Sequence, residues 1–171
     1  MLIADTERLF LREFHIADGE AMDRVFGDAE VMQFGTKIQT PDWVRHKFLR
    51  GCLEDYHQKW GFGLWAVVQK SDRQVMGFCG LSHFPDVAGR AETEIGYRLA
   101  RSYWGQGFAT EAARAVRDYA FQTLCLPRVV SIIHPQNRAS IRVAEKLGMQ
   151  FEKETVFQGN PAHIYALSTA A

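Results

Sequence analysis

A pair of glycines in the second half of the chain is the strongest chemical signal in this sequence. Gly105 and Gly107 flank a single residue within residues 101–112, and an alanine-rich pattern of helical period follows at once. Glycines let backbone N–H groups approach an anion closely, and a helix that begins behind them adds the positive end of its dipole. The spacing therefore predicts a cradle that binds a phosphate group.

The best-known glycine-rich phosphate loops do not match this segment. The sequence has no Gly-x-x-x-x-Gly-Lys-Ser/Thr pattern, which argues against a P-loop for nucleoside triphosphates. The glycine pair also lacks the third glycine of a dinucleotide fingerprint, and no clear parallel βαβ unit surrounds it. A plain strand-to-helix turn, in which glycine is also common, is the alternative that involves no ligand.

Several segments along the chain resemble the GNAT superfamily of N-acetyltransferases. Residues 104–109 resemble the family's acyl-CoA loop, Arg/Gln-x-x-Gly-x-Gly/Ala, with Trp104 where Arg or Gln is usual. That substitution is familiar in the branch that acetylates ribosomal-protein N-termini, and the chain is similar to this ribosomal-protein-alanine (RimJ/RimL-like) branch. The further matching segments are residues 6–12, 94–99, 137–140 and 145–149.

The resemblance implies an α/β (α+β) fold with a mixed, mostly antiparallel central sheet flanked by helices. It also implies an enzyme that transfers an acetyl group from acetyl-CoA to a primary amine by direct attack in a ternary complex. The acceptor is either a protein N-terminal α-amine or a small molecule such as an amino acid, a polyamine or an antibiotic. A non-catalytic acyl-CoA-binding module and a cradle for another nucleotide are the alternative functions.

The resemblance assigns the cofactor to three stretches of the chain. The backbone of the glycine loop would hold the pyrophosphate, and the exposed edge of the strand over residues 94–99 would pair with the pantetheine arm. Asn137 would contact that arm, and its structural alternative is to cap a helix. Arg142 would contact the 3′-phosphate, and its structural alternative is to lie on a solvated basic face of that helix. The predicted cofactor-binding residues are Ile95, Tyr97, Leu99, Trp104, Gly105, Gln106, Gly107, Phe108, Ala109, Thr110, Asn137 and Arg142.

Glu94 and Ser140 are the candidate catalytic residues. Strand alternation places Glu94 and Arg98 on one face, where Glu94 can deprotonate the amine, directly or through water, or pair with Arg98 instead. The related branch has a serine at this position, which makes Ser140 the candidate acid that protonates the departing CoA thiolate. The alternative is that Ser140 only occupies the first turn of a helix. We expect Cys79 to be a buried small hydrophobe and not an acyl carrier.

Composition limits the class of protein and its surroundings. The 171 residues include 20 basic and 20 acidic side chains, and this formal net charge of zero argues against a nucleic-acid binder. No apolar run approaches the roughly 20 residues of a membrane span, and the N-terminus shows no secretory signal. Three widely spaced cysteines indicate a reducing compartment and no metal site. We expect a cytoplasmic protein, monomer or homodimer, with residues 1–171 forming a single domain.

The apolar periodicity predicts the elements that position these residues. Strands are expected over 7–14, 64–69, 75–83, 93–100, 129–133, 151–157 and 162–167. Helices are expected over 18–26, from a cap at Thr40 to about 59, from 109 to 124, and from a cap at Asn137 to Gly148. A loop is expected over 85–90, and residues 159–161 join the last two strands.

Aromatic residues of the first two helices and their connection occupy the region where the family builds its acceptor wall. Aromatic residues at helical spacing more often belong to the core, which is the alternative for each of them. These residues are Phe34, Trp43, Tyr56 and Trp60.

Overall fold

The computed structural model describes residues 1–35, 37–55 and 59–169. The strands are Leu2–Asp5 (β1), Leu9–Arg12 (β2), Leu64–Gln69 (β3), Val75–Val87 (β4), Arg90–Leu99 (β5), Arg128–Ile133 (β6), Gln150–Phe157 (β7) and Asn160–Ser168 (β8). Within the described residues they form one sheet, in the order β1-β2-β3-β4-β5-β6-β8-β7. Only β5 and β6 pair in parallel there, which confirms the predicted mixed, mostly antiparallel sheet.

Helices pack on both faces of this sheet. The first face carries Gly19–Phe26 (α1), Ala29–Met32 (α2) and a helix that begins at Pro41–Trp43 (α3) and continues with π-helical hydrogen bonding over Val44–Leu49 and Gly51–Asp55. The second face carries Phe108–Asp118 (α4), its π-helical extension Tyr119–Thr123, and Arg138–Lys146 (α5). Short 3₁₀ turns lie at Ile16–Asp18 and Arg101–Tyr103.

Side chains alternate between two hydrophobic cores along the central strands. In β3, Val67 packs into the core beneath α4 and α5, whereas Val68 belongs to the core beneath α1 and α3. The first core receives the predicted helical stripe of α4, including the fully buried Ala112 and Val116. The period of 2 in the strands and of 3.6 in α4 thus confirms the sheet with helices on both faces.

Capping side chains set the helix boundaries that the sequence predicts. Thr40 Oγ1 accepts the N–H of Trp43 at 3.2 Å at the start of α3. Asn137 Oδ1 accepts the N–H of Ser140 at 3.1 Å at the start of α5, and Gly148, with φ +84°, follows its end. Both predicted caps are confirmed, since each satisfies a donor that has no partner within its helix. Tyr56, predicted in α3, lies outside the described residues.

Two connections differ from the sequence prediction. The loop expected over 85–90 is wrong, because β4 continues to Val87 and turns through Ala88 (φ +52°) and Gly89 (φ +92°) into β5. The last hairpin turns at Gln158 and Gly159 (φ +49° and +80°), one residue earlier than expected, so 160 and 161 belong to β8. Both are two-residue hairpin turns with positive φ at each position, a conformation that Ala88 and Gln158 do not announce.

The structure also contains elements without a sequence counterpart. β1 and α2 are each four residues long, too short for an apolar period to show in the sequence. β2 spans four residues where a strand over 7–14 was expected, since the chain turns away after Arg12 into the 3₁₀ turn. β1 lies at the edge of the sheet and pairs with β2.

A carboxylate on α4 fastens the first hairpin to the second face of the sheet. Glu111 accepts hydrogen bonds from Thr6 Oγ1 at 2.6 Å, from the Arg8 N–H at 2.8 Å and from Arg8 Nε at 2.7 Å. The Glu111 side chain is only 17% exposed, so its carboxylate is largely shielded from water. This bonding fixes the first turn of α4, which begins immediately after the glycine loop.

We expect Glu111→Ala to lower the free energy of unfolding by about 2 kcal/mol, because it removes several charge-assisted hydrogen bonds around a mostly buried carboxylate. Urea titration measures this change. Glu54→Ala is the matched control, since the Glu54–Arg50 ion pair is 56% and 67% exposed and its loss is expected to cost about 0.5 kcal/mol or less. Equal losses in the two variants would contradict the role assigned to Glu111.

Candidate active site

The parallel strands β5 and β6 separate after a single backbone pair. In the described part of the chain that pair is Glu94 with Val130. Just beyond it, side chains take over the hydrogen bonds of the ladder: Glu94 Oε1 accepts the N–H of Ile132 at 3.2 Å, and Ser131 Oγ donates to the Ile95 carbonyl at 3.2 Å. The edge of β5 that faces β6 is therefore open from about Ile95 onwards.

A cleft of about 950 Å³ lies at this separation. Both strands, the glycine loop, α5 and the segment between α2 and α3 line it. The cleft brings together every predicted site residue except Gln106, whose Nε2 donates to the Ser102 carbonyl at 2.9 Å. Residues that are far apart in the sequence, such as Glu94, Gly107 and Ser140, thus share one cavity.

The glycine loop offers a row of backbone donors to this cleft. Gly105 and Gly107 have φ +74° and +83°, a left-handed conformation that favours glycine, and a Cβ built on Gly105 would meet nothing within 4 Å. Among the described residues, the backbone N–H groups from Gly105 to Thr110 donate to no protein acceptor, since the first bond of α4 runs from the Glu111 N–H to the Gly107 carbonyl. Such free N–H groups at a helix start suit an anion.

Two side chains hold the loop in place. Trp104 Nε1 donates to the Leu99 carbonyl at 2.8 Å and thus ties the loop back to the end of β5. Arg8 Nη1 donates to the Gln106 carbonyl at 3.0 Å, and its guanidinium lies 4.3 Å from the centroid of the Phe108 ring. The tryptophan at the position usually held by Arg or Gln therefore has a structural use for its indole N–H.

Burial raises the pKa of Glu94 to about 7, although the hydrogen bond from the Ile132 N–H and the charge of Arg98 each lower it. The pKa of this carboxyl group therefore lies much closer to neutral pH than that of an exposed glutamate. A general base with a pKa near the working pH combines a populated basic form with useful proton affinity. Across β4 and β5, Glu94 is paired with Ser82, a buried serine that also lines the cleft.

The Tyr97 hydroxyl, which sequence reasoning used only for its backbone, lies beside the candidate acid. It donates to Ser140 Oγ at 3.2 Å, and burial raises the pKa of Tyr97 to about 12, so the phenol stays protonated. Because Ser140 Oγ accepts this bond, its own proton is available to another acceptor. Strand alternation puts Tyr97 on the face opposite Glu94, and this is the signal that could have found the contact.

The other end of the cleft has aromatic walls. Phe34, from the segment after α2, stacks on His134 at the end of β6, with ring centroids 5.2 Å apart, and both line the cleft. Trp43 also lines it, and its ring centroid lies 5.2 Å from that of Phe26, in the core beneath α1 and α3. Trp60 does not line it and packs against His83 at 4.0 Å.

Comparison with known proteins identifies the family. Residues 8–150 match the family described as the acetyltransferase (GNAT) domain. This chain is a member of the GNAT family. Its members use acetyl-CoA, so the protein is an acetyl-CoA-dependent N-acetyltransferase, as the resemblance of its motifs implied.

Relatives and solved structures cover nearly the whole acetyltransferase. It is 33% identical over 165 residues to the uncharacterized protein YkkB of Bacillus subtilis (strain 168), covering 94% of this chain and 92% of that protein. The crystal structure of an acetyltransferase from Agrobacterium tumefaciens str. C58 is similar, with 30% identity, a TM-score of 0.81, and 97% and 94% of the two chains covered.

A third similar protein shares the fold at lower identity. The structure of RimL, a ribosomal L7/L12 alpha-N-protein acetyltransferase in complex with coenzyme A, has 18% identity to this acetyltransferase. The TM-score is 0.76, and the match covers 98% of each chain. These matches confirm the predicted GNAT fold.

Two further features are the burial of Cys79 and the length and apolarity of the helices. Cys79 is fully buried in the core beneath α4 and α5, and burial raises the pKa of its thiol, so the thiol stays protonated where it lies. None of the helices in the described residues is long and apolar enough to cross a membrane.

We predict that Gly105→Ala weakens acetyl-CoA binding about tenfold or more, because Gly105 lines the cleft and a methyl group there would occupy space that the proposed pyrophosphate approach leaves open. The matched control is Gly159→Ala, since Gly159 has φ +80° and no neighbour within 4 Å but lies in the last hairpin. Both variants are expected to lose about 1–2 kcal/mol of stability to the left-handed backbone. The rise in melting temperature with acetyl-CoA and calorimetric titration measure binding. An unchanged Kd in Gly105→Ala would contradict the cradle.

Proposed function

We propose that the protein acetylates a primary amine by direct attack of the amine on acetyl-CoA within a ternary complex in the cleft between β5 and β6. The observation that carries the proposal is that one cavity joins the donors of the glycine loop, the open edge of β5, Glu94 and Ser140. Direct attack also agrees with Cys79, which is too buried to carry an acyl group.

The residues present suit acetyl-CoA in two respects. The free N–H groups between Gly105 and Thr110 would hold the pyrophosphate, and a glycine at 105 leaves the approach open. The open edge of β5 at Ile95, Tyr97 and Leu99 would pair with the pantetheine amides as a strand pairs with a strand. When bound, acetyl-CoA supplies a thioester whose carbonyl a β5 N–H can polarise.

Further cofactor contacts would come from α5. Asn137, which caps this helix, would reach the pantetheine arm. Arg138, Arg142 and Lys146 are exposed to water and line the cleft as well, so their solvated face is available to the 3′-phosphate. The basic face and the phosphate contact are thus compatible, and Arg142 is the residue that we assign to the phosphate.

Glu94 is the proposed general base. It takes a proton from the ammonium group of the acceptor, directly or through water, so that the nitrogen lone pair can attack the thioester carbon. An α-amine, with a pKa of about 7.7–8.0, needs little help from a carboxylate of pKa about 7, whereas a lysine amine at about 10.4 needs much more. The base therefore suits an α-amine acceptor best.

Ser140 is the proposed acid. As the C–N bond forms and the C–S bond breaks, the departing thiolate takes the Ser140 hydroxyl proton. The Tyr97 hydroxyl donates to Ser140 Oγ at 3.2 Å and stabilises the resulting alkoxide, which regains a proton from water. Because a CoA thiol resembles free cysteine, with a pKa of about 8.5, this proton transfer contributes only modestly to the rate.

The acceptor is either a protein N-terminal α-amine, as in the RimJ/RimL-like branch, or a small amine. Trp104 and Ser140 favour the first, since they match the motif of that branch, and the RimL structure contributes the fold alone. The half-buried guanidinium of Arg98, which lines the cleft, favours the second. The cytoplasmic location and a monomeric or homodimeric state stay predictions.

For wild-type enzyme, we expect kcat/KM to rise with pH through an inflection near 7, as Glu94 loses its proton. In Glu94→Gln this inflection is absent, the rate falls by about 10²–10³, and the remaining pH dependence follows the amine alone. Initial rates between pH 5.5 and 9 measure this with any acceptor that a screen of amines identifies. An unchanged inflection in Glu94→Gln would contradict the base assignment.

Stability gives an independent check on the same group. The folded-state pKa of Glu94 lies above its ordinary value of 4.5, so the folded protein binds the proton more tightly than the unfolded chain. Its contribution to the free energy of unfolding therefore falls as pH rises from about 4.5 to about 7 and is constant above that. The difference between wild type and Glu94→Gln in urea titrations at several pH values is expected to follow this course.

We predict that Ser140→Ala lowers kcat about 10- to 100-fold with little effect on the KM for acetyl-CoA. Tyr97→Phe, the matched variant, keeps the ring and removes the hydroxyl that donates to Ser140, so a smaller loss is expected. Steady-state kinetics at pH 8 measure both. A large loss in Tyr97→Phe together with an intact Ser140→Ala would assign the acid to Tyr97.

A further inference from the structure

Arg98 brings a positive charge into the cleft on the same face of β5 as Glu94. The two residues are separated by Gly96, which lines the cleft and has no side chain, so the floor between the carboxylate and the guanidinium is bare. A Cβ at Gly96 would lie 3.4 Å from Glu94 Oε2, so the carboxyl group leans over this floor. The Cα atoms of residues four apart on a strand are about 13 Å apart, a distance that the two side chains shorten.

The guanidinium of Arg98 has a weak set of protein partners. Among the described residues it is in no ion pair within 4.0 Å, whereas Arg101 and Arg128 each have carboxylate partners within that distance. It donates to the thioether sulfur of Met32, which is a weak acceptor. Glu94 favours the charged form of Arg98 only through its charge, from beyond that distance.

Gly35 makes room for this guanidinium. A Cβ at Gly35 would come within 1.9 Å of Arg98 Nη2, so only glycine allows the side chain to lie where it does. The neighbouring Phe34 stacks on His134 and closes the wall beside it. Among the described residues no carboxylate lies within 4.0 Å of this half-buried cation, which is costly, and an anionic group from a ligand would offset that cost through charge-assisted hydrogen bonds.

We propose that the acceptor is an amino acid, whose carboxylate binds Arg98 while its amine faces Glu94 across Gly96. This inference rests on the proposed function and narrows it to one class of acceptor. The same guanidinium disfavours polyamines, because it repels a second cationic group. A carboxylate matches the planar fork of arginine better than any uncharged group does.

The test uses the full-length protein, acetyl-CoA, the standard L-amino acids and their C-terminal amides. We expect wild type to acetylate at least one free amino acid with a kcat/KM at least tenfold above that of its amide. Comparing aspartate and glutamate with asparagine and glutamine distinguishes a side-chain carboxylate from the α-carboxylate. In Arg98→Gln, the preference for the carboxylate is expected to fall to near parity through a higher acceptor KM.

Four variants separate recognition from fold and cofactor. Arg98→Lys keeps the charge without the fork and is expected to recover part of the preference. Gly35→Ala keeps Arg98 but displaces its guanidinium, so a partial loss is expected there as well. Arg142→Gln is expected to raise the KM for acetyl-CoA and leave the acid-to-amide ratio unchanged, and Arg24→Gln, on the exposed side of α1, is expected to change neither.

Equal rates on acids and amides, activity on spermidine or peptides alone, or a higher KM for acetyl-CoA alone in Arg98→Gln would each overturn this inference. If acetyl-CoA raises the melting temperature but no amino acid is acetylated, the amino-acid inference fails and the cofactor assignment stands. If acetyl-CoA produces no such rise, the proposed function itself fails.

Discussion

The separation of β5 from β6 is the constraint on which the rest of the site depends. Two parallel strands that belong to one sheet would normally continue their hydrogen bonds, but here the carboxylate of Glu94 accepts the N–H of Ile132, and Ser131 donates to the Ile95 carbonyl. The sheet therefore stays continuous while its middle is open. The glycine loop at the end of β5 and α5 after β6 then face each other across the opening.

Glu94 has a role in the fold and a role in the proposed chemistry. Its hydrogen bonding and its burial allow it to have both. The single N–H from Ile132 stabilises the carboxylate, yet burial has the larger effect on its pKa. Several such donors would hold the group ionised and make it a poor proton acceptor. Among the described residues only one oxygen of Glu94 accepts a backbone N–H, so the carboxyl group can replace a hydrogen bond of the ladder and still exchange a proton.

Local chemistry explains what the sequence could predict. The cradle, the cap at Asn137 and the stripe of α4 each depend on residues within one or two turns, so their patterns are visible in the chain. The contact between Tyr97 and Ser140 joins residues 43 apart, and the space for Arg98 comes from Gly35 in a segment with no period. The hairpins were misplaced for another reason, since Ala88 and Gln158 adopt positive φ without being glycine.

The contacts of Arg8 determine which part of the cleft responds to ionic strength. Its guanidinium lies at the glycine loop, but it is engaged by Glu111 and the Gln106 carbonyl, so it leaves the cradle to uncharged N–H dipoles. Counterions screen full charges over distances of about 8–10 Å and affect buried or short-range dipoles much less. We therefore expect salt to act mainly on the exposed cations of α5 and much less on the proposed phosphate cradle of the glycine loop.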